Sequence, residues 1–178
     1  MNDALDSLES QIGKTRDYES PPLHLWHPPL SGDIAIRIAS DGTWFHENSV
    51  IKRNALVKLF ASILRREEDG DYYLVSPHEK WRIQVDLHPL IVTDFDWLEE
   101  SGQRLLVATL NTDKQWIVSA EHPLHFDDVA GAVTIAISHG LTALSNRAAW
   151  YRLIEMADLE EHHAVLRSGR FELRIPMK

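Results

Sequence analysis

The sequence predicts an α+β fold of two tandem units, each consisting of a β-hairpin, a helix and a second β-hairpin. Short segments in which apolar and polar residues alternate, separated by Gly, Asp and Asn, are typical of paired strands. Two longer segments place apolar residues three and four positions apart, as amphipathic helices do. This order of elements occurs twice along the 178 residues. We therefore predict an internal duplication, with a cleft where the two similar units meet.

Residues 1–20 are predicted to contain an N-terminal helix. Asn2 or Asp3 can cap its start and Gly13 can end it. Its apolar residues at helical spacing are Leu5, Leu8 and Ile12. The following segment, Pro21–Pro29, carries two proline pairs, which remove backbone donors and exclude a helix. We expect this segment to form an extended arm.

The first unit is predicted at residues 21–87. Four strands are expected, at 34–38, 43–46, 72–75 and 81–86. A helix is expected from Lys52 to Arg66, because apolar residues form one stripe along it. The stripe consists of Leu56, Leu59, Phe60, Ile63 and Leu64. This helix would carry Arg65 and Arg66 at its C-terminal end, where the helix dipole favours cations.

The second unit is predicted at residues 88–178. A helix is expected to open near Asn146, with an apolar stripe of Trp150, Leu153, Ile154 and Ala157. Its strands are expected at 90–97, 105–110, 115–119, 133–137, 141–144, 163–166 and 171–175. The unit therefore holds more strands than the first and ends the chain in a strand.

Short strings of residues support the duplication. Residues 40–43, 58–60 and 81–85 of the first unit match residues 138–141, 152–154 and 171–175 of the second. The match predicts that Ile34–Val85 superposes on Val133–Ile175. The alternative is that two small α+β units converged on similar hydrophobic patterns, since strand alternation and helical stripes are few in kind.

Composition excludes several classes of protein. The chain has 18 Lys and Arg against 27 Asp and Glu, and its formal net charge of −9 argues against a general nucleic-acid binder. The absence of Cys excludes disulfides, thiolate zinc sites and a cysteine nucleophile. No apolar run approaches the ~20 residues that span a bilayer, and the acidic start is unlike a secretory signal. We expect a soluble, cytoplasmic protein with no membrane partner.

Several strings resemble a bacterial family called domain of unknown function 1285 (DUF1285), over about Pro21 to Tyr151. They are PLHLW at 22–26, GDI at 32–34, DGTWF at 41–45, LRRE at 64–67, DYYLV at 71–75, EKW at 79–81 and AEHPL at 120–124. The resemblance implies a duplicated α+β architecture whose second half is superficially like a pleckstrin-homology fold. It also implies a role in signal transduction through an unidentified ligand, and it supplies no catalytic residues.

Motifs for catalysis are weak in this sequence. It has no phosphate-binding loop, no Gly-rich dinucleotide fingerprint and no nucleophile elbow. His24 and His27 are spaced so that a metal could bind both, but an arm that simply packs is the favoured interpretation. Glu121 and His122 resemble an acid–base pair, yet a satisfied turn is favoured. We predict no catalytic residue, metal or cofactor.

Charge is unevenly distributed along the chain. Residues 52–82 carry seven basic and five acidic side chains, whereas residues 94–128 carry two basic and eight acidic ones. The basic segment is able to bind an anionic ligand, because Arg forms bidentate contacts with phosphate. A solvated helix face with Arg–Glu pairs is the alternative, and it is the favoured one. Trp26, on the arm, either packs in the core or covers the cleft.

These observations predict a non-enzymatic module that binds an anionic small molecule or a protein partner. The predicted ligand-binding residues, at the interface of the two units, are Trp26, Arg53, Arg65, Arg66, Lys80 and Arg147. One alternative is a hydrolase-like enzyme that uses His and carboxylates in the same cleft. Another is a single-strand nucleic-acid binder, which the acidic composition makes unlikely.

Overall fold

Each half of the chain forms a mixed six-stranded sheet with a parallel pair of strands at its centre. The structure is a computed structural model that describes residues 3–12 and 20–177. The chain divides into an N-terminal unit, Met1–Leu87, and a C-terminal unit, His88–Lys178. The described residues contain three α-helices and fifteen strands, so the α+β prediction is confirmed at this level.

The N-terminal unit consists of two three-stranded antiparallel meanders. Its elements are α1 (Asp3–Ile12), a 3-10 turn (Leu23–Leu25), β1 (Gly32–Ile38), β2 (Trp44–His46), β3 (Ser49–Val50), α2 (Asn54–Ser62), β4 (Leu64–Arg66), β5 (Tyr72–Val75) and β6 (Lys80–Val85). The strand order is β3-β2-β1-β6-β5-β4. The first and last strands, β1 and β6, pair in parallel and join the meanders.

The core of this unit lies between the sheet and α2. Ile36 and Ile38 alternate with Arg37 along β1, so one face of the strand is apolar and buried. The Phe60 ring of α2 stacks on Trp44 of β2, with ring centroids 6.4 Å apart, and both side chains are buried. Of the predicted helical stripe, Phe60 and Ile63 are fully buried, whereas Leu56 and Leu59 are half-buried.

The predicted helix from Lys52 to Arg66 is wrong at its C-terminal end. Helix α2 ends at Ser62, because Ile63 leaves the helical conformation at φ −112° and ψ 11°. The next three residues form β4, which pairs with β5 and places the fully buried Leu64 opposite Leu74. Strand pairing here overrides local helix propensity. Arg65 and Arg66 therefore point to opposite faces of a strand.

The proline-rich arm is not extended throughout. A 3-10 turn occupies Leu23–Leu25, and its backbone amides bond to carbonyl oxygens two or three residues earlier. Proline pre-sets the φ angle that such a turn requires, which explains the turn after Pro21 and Pro22. Leu23 is 1% exposed, so the arm is anchored by a buried side chain.

The C-terminal unit contains a six-stranded sheet and a separate three-stranded sheet. Its elements are β7 (Leu90–Glu100), β8 (Gln103–Leu110), β9 (Gln115–Ile117), β10 (Leu124–Asp127), β11 (Ala132–Ala136), a 3-10 turn (Ser138–Gly140), β12 (Thr142–Ser145), α3 (Arg147–Met156), β13 (Asp158–Glu160), β14 (His163–Ser168) and β15 (Phe171–Pro176). The strand orders are β10-β11-β12-β7-β8-β9 and β13-β14-β15. The short strands β3, β10 and β13 were not predicted.

Helix α3 begins where the sequence predicts. The Asn146 side chain accepts a hydrogen bond of 2.8 Å from the amide of Ala149 and caps the helix. Leu153 is fully buried and Trp150 stacks on Phe126 at 5.7 Å, so the predicted stripe faces the sheet. The Nε of Arg152 also donates to the carbonyl of Phe95, at 2.6 Å, which ties the helix to β7.

The predicted superposition of Ile34–Val85 on Val133–Ile175 is wrong. Strands β5 and β6 belong to the same sheet as β1 and β2, whereas β14 and β15 form a sheet apart from β11 and β12. The correspondence lies elsewhere. In sequence order within each sheet, both units arrange six strands as 3-2-1-6-5-4, with the first and the sixth parallel. Strands β1–β6 thus correspond in topology to β7–β12.

None of the helices among the described residues is long and apolar enough to cross a membrane.

Candidate functional site

The structure places the six predicted ligand-binding residues at separate locations. Arg65 and Lys80 contact Glu67 in the N-terminal unit, and the backbone carbonyl of Trp26 accepts a hydrogen bond from Arg65. Arg53 and Arg66 lie elsewhere in that unit, and Arg147 belongs to α3. Binding at an interface of the two units stays a prediction.

The Glu67 cluster consists of Glu67, Arg65, Lys80 and the carbonyl groups of the arm. Arg65 donates from Nη1 to the carbonyls of Leu23 and Trp26, at 3.0 and 2.9 Å, and from Nη2 to Glu67, at 3.0 Å. The Lys80 Nζ lies 3.0 and 3.2 Å from the two Glu67 carboxylate oxygens. Burial raises the pKa of Glu67, but the hydrogen bonds from Lys80 and Arg65 outweigh it and leave that pKa lowered.

This cluster fastens the arm to the sheet. The side chains of Arg65, Lys80 and Glu67 are only 14%, 18% and 24% exposed. Lys80 also lies 4.7 Å from the centre of the Tyr73 ring, so it packs as well as pairs. Arg65 and Lys80, both predicted to bind a ligand, are therefore already paired with the Glu67 carboxylate. This agrees with the alternative that the basic segment forms Arg–Glu ion pairs.

The other predicted cations also have local contacts. Arg53 pairs with Glu9 of α1. Arg66 donates to the carbonyl of Gly70 and lies 5.3 Å from the centre of the Tyr72 ring. Arg147 lies over Tyr151, 5.4 Å from its ring centre, and donates to its hydroxyl. Arg66 and Arg147 make no ion pair with any residue that the structure describes.

A second candidate site lies in the C-terminal unit, and sequence reasoning missed it. A depression of about 250 Å³ is bordered by one end of the β7–β8 hairpin and by the β13–β14–β15 sheet. Met156 and Val165 supply apolar surface to this depression, and Trp97 stands at its side. Three arginines line it: Arg104, Arg167 and Arg170.

Two of these three arginines lack an acidic partner. Arg104 lies over Trp97, with its guanidinium carbon 3.9 Å from the ring centre, and no described residue accepts a hydrogen bond from this guanidinium. Arg170 makes no hydrogen bond or ion pair with any residue in the described ranges. Arg167 differs, because it contacts Asp158, Glu160 and Glu172.

Backbone contacts hold the two unpaired arginines at the same depression. The amide of Gly169, next to Arg170, donates to the carbonyl of Arg104 at 3.0 Å. The buried Ser168 hydroxyl accepts from the amide of Leu106, at 2.9 Å, and donates to the carbonyl of Val118, at 2.6 Å. Two of these hydrogen bonds fix the β14–β15 turn to β8, and the third fixes it to Val118, which follows β9; a binding site requires such support.

Thr142, His88 and Asp127 bring a hydroxyl, an imidazole and a carboxylate together in the C-terminal unit. The Thr142 hydroxyl lies 2.7 Å from Nδ1 of His88, but Nε2 of His88 is 3.9 Å from the Asp127 carboxylate. That distance is too long for a hydrogen bond, so Asp127 does not orient the imidazole as a catalytic triad requires. The Asp127 carboxylate accepts instead from the amides of Ala130 and Val129, which lower its pKa.

The histidines singled out in the sequence have structural partners. His122 packs edge-on against Trp116, with ring centroids 4.7 Å apart, and its Nδ1 lies 3.1 Å from the carbonyl oxygen of Ala136. The imidazole of His27 contacts the carbonyl of His24 at 2.9 Å. The geometry therefore agrees with a satisfied turn at His122, whereas the imidazoles of His24 and His27 are both exposed.

Comparison with known families identifies the chain. A family model described as "Domain of unknown function (DUF1285), N-terminal domain" matches residues 21–87, and one described as "Protein of unknown function (DUF1285), C-terminal domain" matches residues 89–172. The chain belongs to the DUF1285 family. The resemblance read from the sequence is confirmed.

Solved structures of two DUF1285 family proteins are similar to this DUF1285 chain. The protein from Silicibacter pomeroyi DSS-3 is 33% identical, with a TM-score of 0.82, over 96% of this chain and 94% of that one. The protein from Shewanella baltica OS155 is 26% identical, with a TM-score of 0.59, over 70% of this chain and 94% of that one. No curated protein matches the chain.

The depression lies within the matched DUF1285 C-terminal domain, but its arginines are far apart in the sequence. Arg104 lies in the predominantly acidic segment 94–128, and Arg170 lies in the turn between β14 and β15. One signal was available. Trp97 pairs with Leu106 and Glu99 pairs with Arg104 across the β7–β8 hairpin, so Trp97 and Arg104 are diagonal neighbours on one face. Recognising this neighbourhood requires the register of the β7–β8 hairpin, and the alternation of apolar and polar residues does not determine that register.

Proposed function

We propose that this DUF1285 protein is a non-enzymatic binding module and that the depression in its C-terminal unit binds an anionic ligand. One observation carries the proposal: Arg104 and Arg170 line the same depression, and neither has a carboxylate partner among the described residues. Ligand-dependent signalling, which the family resemblance implies, is the proposed context.

Two other arginines of the unit, both paired with carboxylates, provide the contrast that supports this observation. Arg152 pairs with Asp94 and Asp96, at 3.0 and 3.6 Å, and Arg174 pairs with Glu160 and Glu172, at 3.2 and 3.3 Å. In a chain with a net charge of −9, carboxylates are plentiful. Two unpaired guanidinium groups at one concave surface are therefore a local excess of positive charge, which attracts anions.

Trp97 supports the proposal because it orients a cation without using its hydrogen-bond donors. A guanidinium 3.9 Å from a ring centre is held by cation–π attraction and by packing. The five N–H donors of the Arg104 guanidinium therefore stay available to a ligand, since no described residue accepts a hydrogen bond from them. A side chain that is already ordered loses less conformational entropy when a ligand binds.

The proposal is tested by titrating inorganic phosphate into the full chain by calorimetry at low and at physiological salt. We expect binding that weakens as salt rises, because exposed charges are screened over ~8 Å at physiological ionic strength. The double variant Arg104→Gln, Arg170→Gln should weaken binding about tenfold or more, since each charged hydrogen bond contributes about 1.5–3 kcal/mol.

Arg147→Gln is the matched control. Arg147 is also exposed, also lies over an aromatic ring and also lacks an acidic partner among the described residues, yet it does not line the depression. Its variant should bind phosphate as the wild type does. Full binding by the double variant would overturn the proposal. A loss in Arg147→Gln alone would also overturn it, in favour of the site predicted from the sequence.

We also propose that the two units arose by duplication of one six-stranded sheet. The shared 3-2-1-6-5-4 order with a central parallel pair supports this origin, because two antiparallel meanders can be joined in several other ways. The likeness of the second unit to a pleckstrin-homology fold stays a prediction.

A further inference from the structure

We infer that the ligand of the depression is a dianionic phosphate monoester with a small organic body. This inference rests on the proposed function and narrows it from any anion to one chemical class. Three features of the depression carry it: its charge, its hydrogen-bond donors and its size.

The unpaired cations of the depression complement a ligand with two negative charges. Its lining holds the cations Arg104, Arg167 and Arg170 and the anion Asp158. Arg167 is already occupied by Asp158, Glu160 and Glu172, which leaves the two unpaired guanidinium groups. A monocarboxylate would neutralise one of them, whereas a phosphate monoester carries −1.5 to −2 charges at neutral pH and matches both.

The number of donors also favours phosphate. Each guanidinium presents five N–H donors in a planar fork that fits two oxygens at once. A carboxylate has two oxygens, which one such fork satisfies. A phosphate monoester has three terminal oxygens, so Arg104 and Arg170 can each contact a different pair. The backbone amide of Gly169 is not available as a further donor to the ligand, because it donates to the carbonyl of Arg104.

The size and lining limit the rest of the molecule. The depression measures about 250 Å³, below the ~300–1,000 Å³ of sites for drug-sized ligands. Met156 and Val165 provide apolar contact beside the arginines. The volume and the apolar lining of the depression together fit a phosphate attached to one ring or to a short carbon chain.

The test compares phenyl phosphate with phenyl sulfate by calorimetry on the full chain. The two probes have similar shapes, but the sulfate ester carries one negative charge and the phosphate ester nearly two above its second pKa of about 6. At about pH 8, we expect phenyl phosphate to bind about tenfold more tightly. At about pH 5, where phenyl phosphate also carries one charge, the two affinities should agree within about threefold.

Arg170→Gln should weaken phenyl phosphate about tenfold at pH ~8 and change phenyl sulfate by less than about twofold, because one guanidinium suffices for a monoanion. Arg37→Gln, at a residue that pairs with Asp86 and does not line the depression, should alter neither affinity. Equal binding of the two esters by the wild type at pH ~8 would overturn the inference and leave anion binding intact. Binding of neither ester nor of inorganic phosphate would overturn the proposed function as well.

A second arm of the experiment identifies the source of the phosphate. Phosphatidylcholine vesicles with and without phosphatidic acid, a phosphate-monoester lipid, are sedimented with the protein. Co-sedimentation that requires phosphatidic acid and Arg170 supports a lipid headgroup as the natural ligand. Phenyl phosphate binding without co-sedimentation supports a soluble phosphate monoester.

Discussion

The backbone amide of Gly169 donates a hydrogen bond to the carbonyl of Arg104, with the two atoms 3.0 Å apart. This bond joins the turn that carries Arg170 to the strand that carries Arg104. Residues from two different sheets are thereby brought to one depression. The candidate site depends on this junction as much as on the arginines themselves.

Gly169→Ala should destabilise the protein and weaken phosphate binding. Gly169 has φ +56°, and a Cβ there would lie 3.3 Å from Leu105 Cδ2 and 3.5 Å from Gln103 Oε1. A non-glycine residue in this region of φ costs roughly 1–3 kcal/mol, to which the close contact adds. Gly102→Ala is the control, because Gly102 has φ +75° but no atom within 4 Å. Urea unfolding should show a larger loss for Gly169→Ala, and equal losses would refute the packing argument.

Phe60→Ala should lower the free energy of unfolding by about 3–5 kcal/mol. Phe60 is fully buried and stacks on Trp44, so truncation removes apolar contact and leaves a cavity. Leu59→Ala should cost less, because Leu59 is half-buried on the same helix. Urea denaturation of both variants measures the difference. A loss of under about 1 kcal/mol for Phe60→Ala would contradict the packing of α2 on the sheet.

Arg65→Met should release the arm without reducing phosphate binding. The Arg65 guanidinium holds the carbonyls of Leu23 and Trp26, and methionine keeps the length of the side chain but loses these bonds. Limited digestion with chymotrypsin should cut near Trp26 faster than in the wild type. Arg66→Met is the control, because Arg66 makes no contact with the arm among the described hydrogen bonds. Unchanged cleavage in Arg65→Met would show that the buried Leu23 alone holds the arm.

Glu67 should make the stability of the N-terminal unit depend on acid pH. Its folded pKa is lowered below the ordinary value of 4.5 by Lys80 and Arg65, against the opposing effect of burial. The stability it contributes is thus present above about pH 4.5 and is lost as the pH falls through the lowered pKa. Glu67→Gln should flatten this part of the stability–pH profile, measured by urea unfolding. An unchanged profile in Glu67→Gln would contradict this assignment.

The local sequence pattern was sufficient to predict those helices and strands whose apolar spacing and capping residues lie within the element itself. Helix α1 spans the residues that its apolar spacing predicts, and α3 starts at the Asn146 cap. Strand β5 coincides with the predicted 72–75. Periodicity and capping act over a few neighbouring residues, so they can be read without knowledge of the rest of the chain.

The local sequence pattern gave the wrong prediction where pairing with a strand elsewhere in the chain decides the secondary structure or the sheet. The residues Leu64–Arg66 continue a helical stripe, yet they form a strand because β5 supplies hydrogen bonds and Leu74 covers Leu64. The same limit explains the wrong repeat. A strand alternates identically whichever sheet receives it, so alternation could not assign β14 and β15 to a sheet of their own.

The sequence by itself determined the α+β class, the positions of most helices and strands and the DUF1285 family. Only the tertiary structure decided which cations are free. Lys80 and Arg65 lie in the basic segment for which the sequence left both anion binding and internal pairing open, and the fold pairs both of them with Glu67. Arg104 and Arg170 lie in sequence surroundings without such a signal, and the fold leaves both without a carboxylate among the described residues. The reason is that pairing between charges depends on distances of a few ångströms, which long-range strand contacts set.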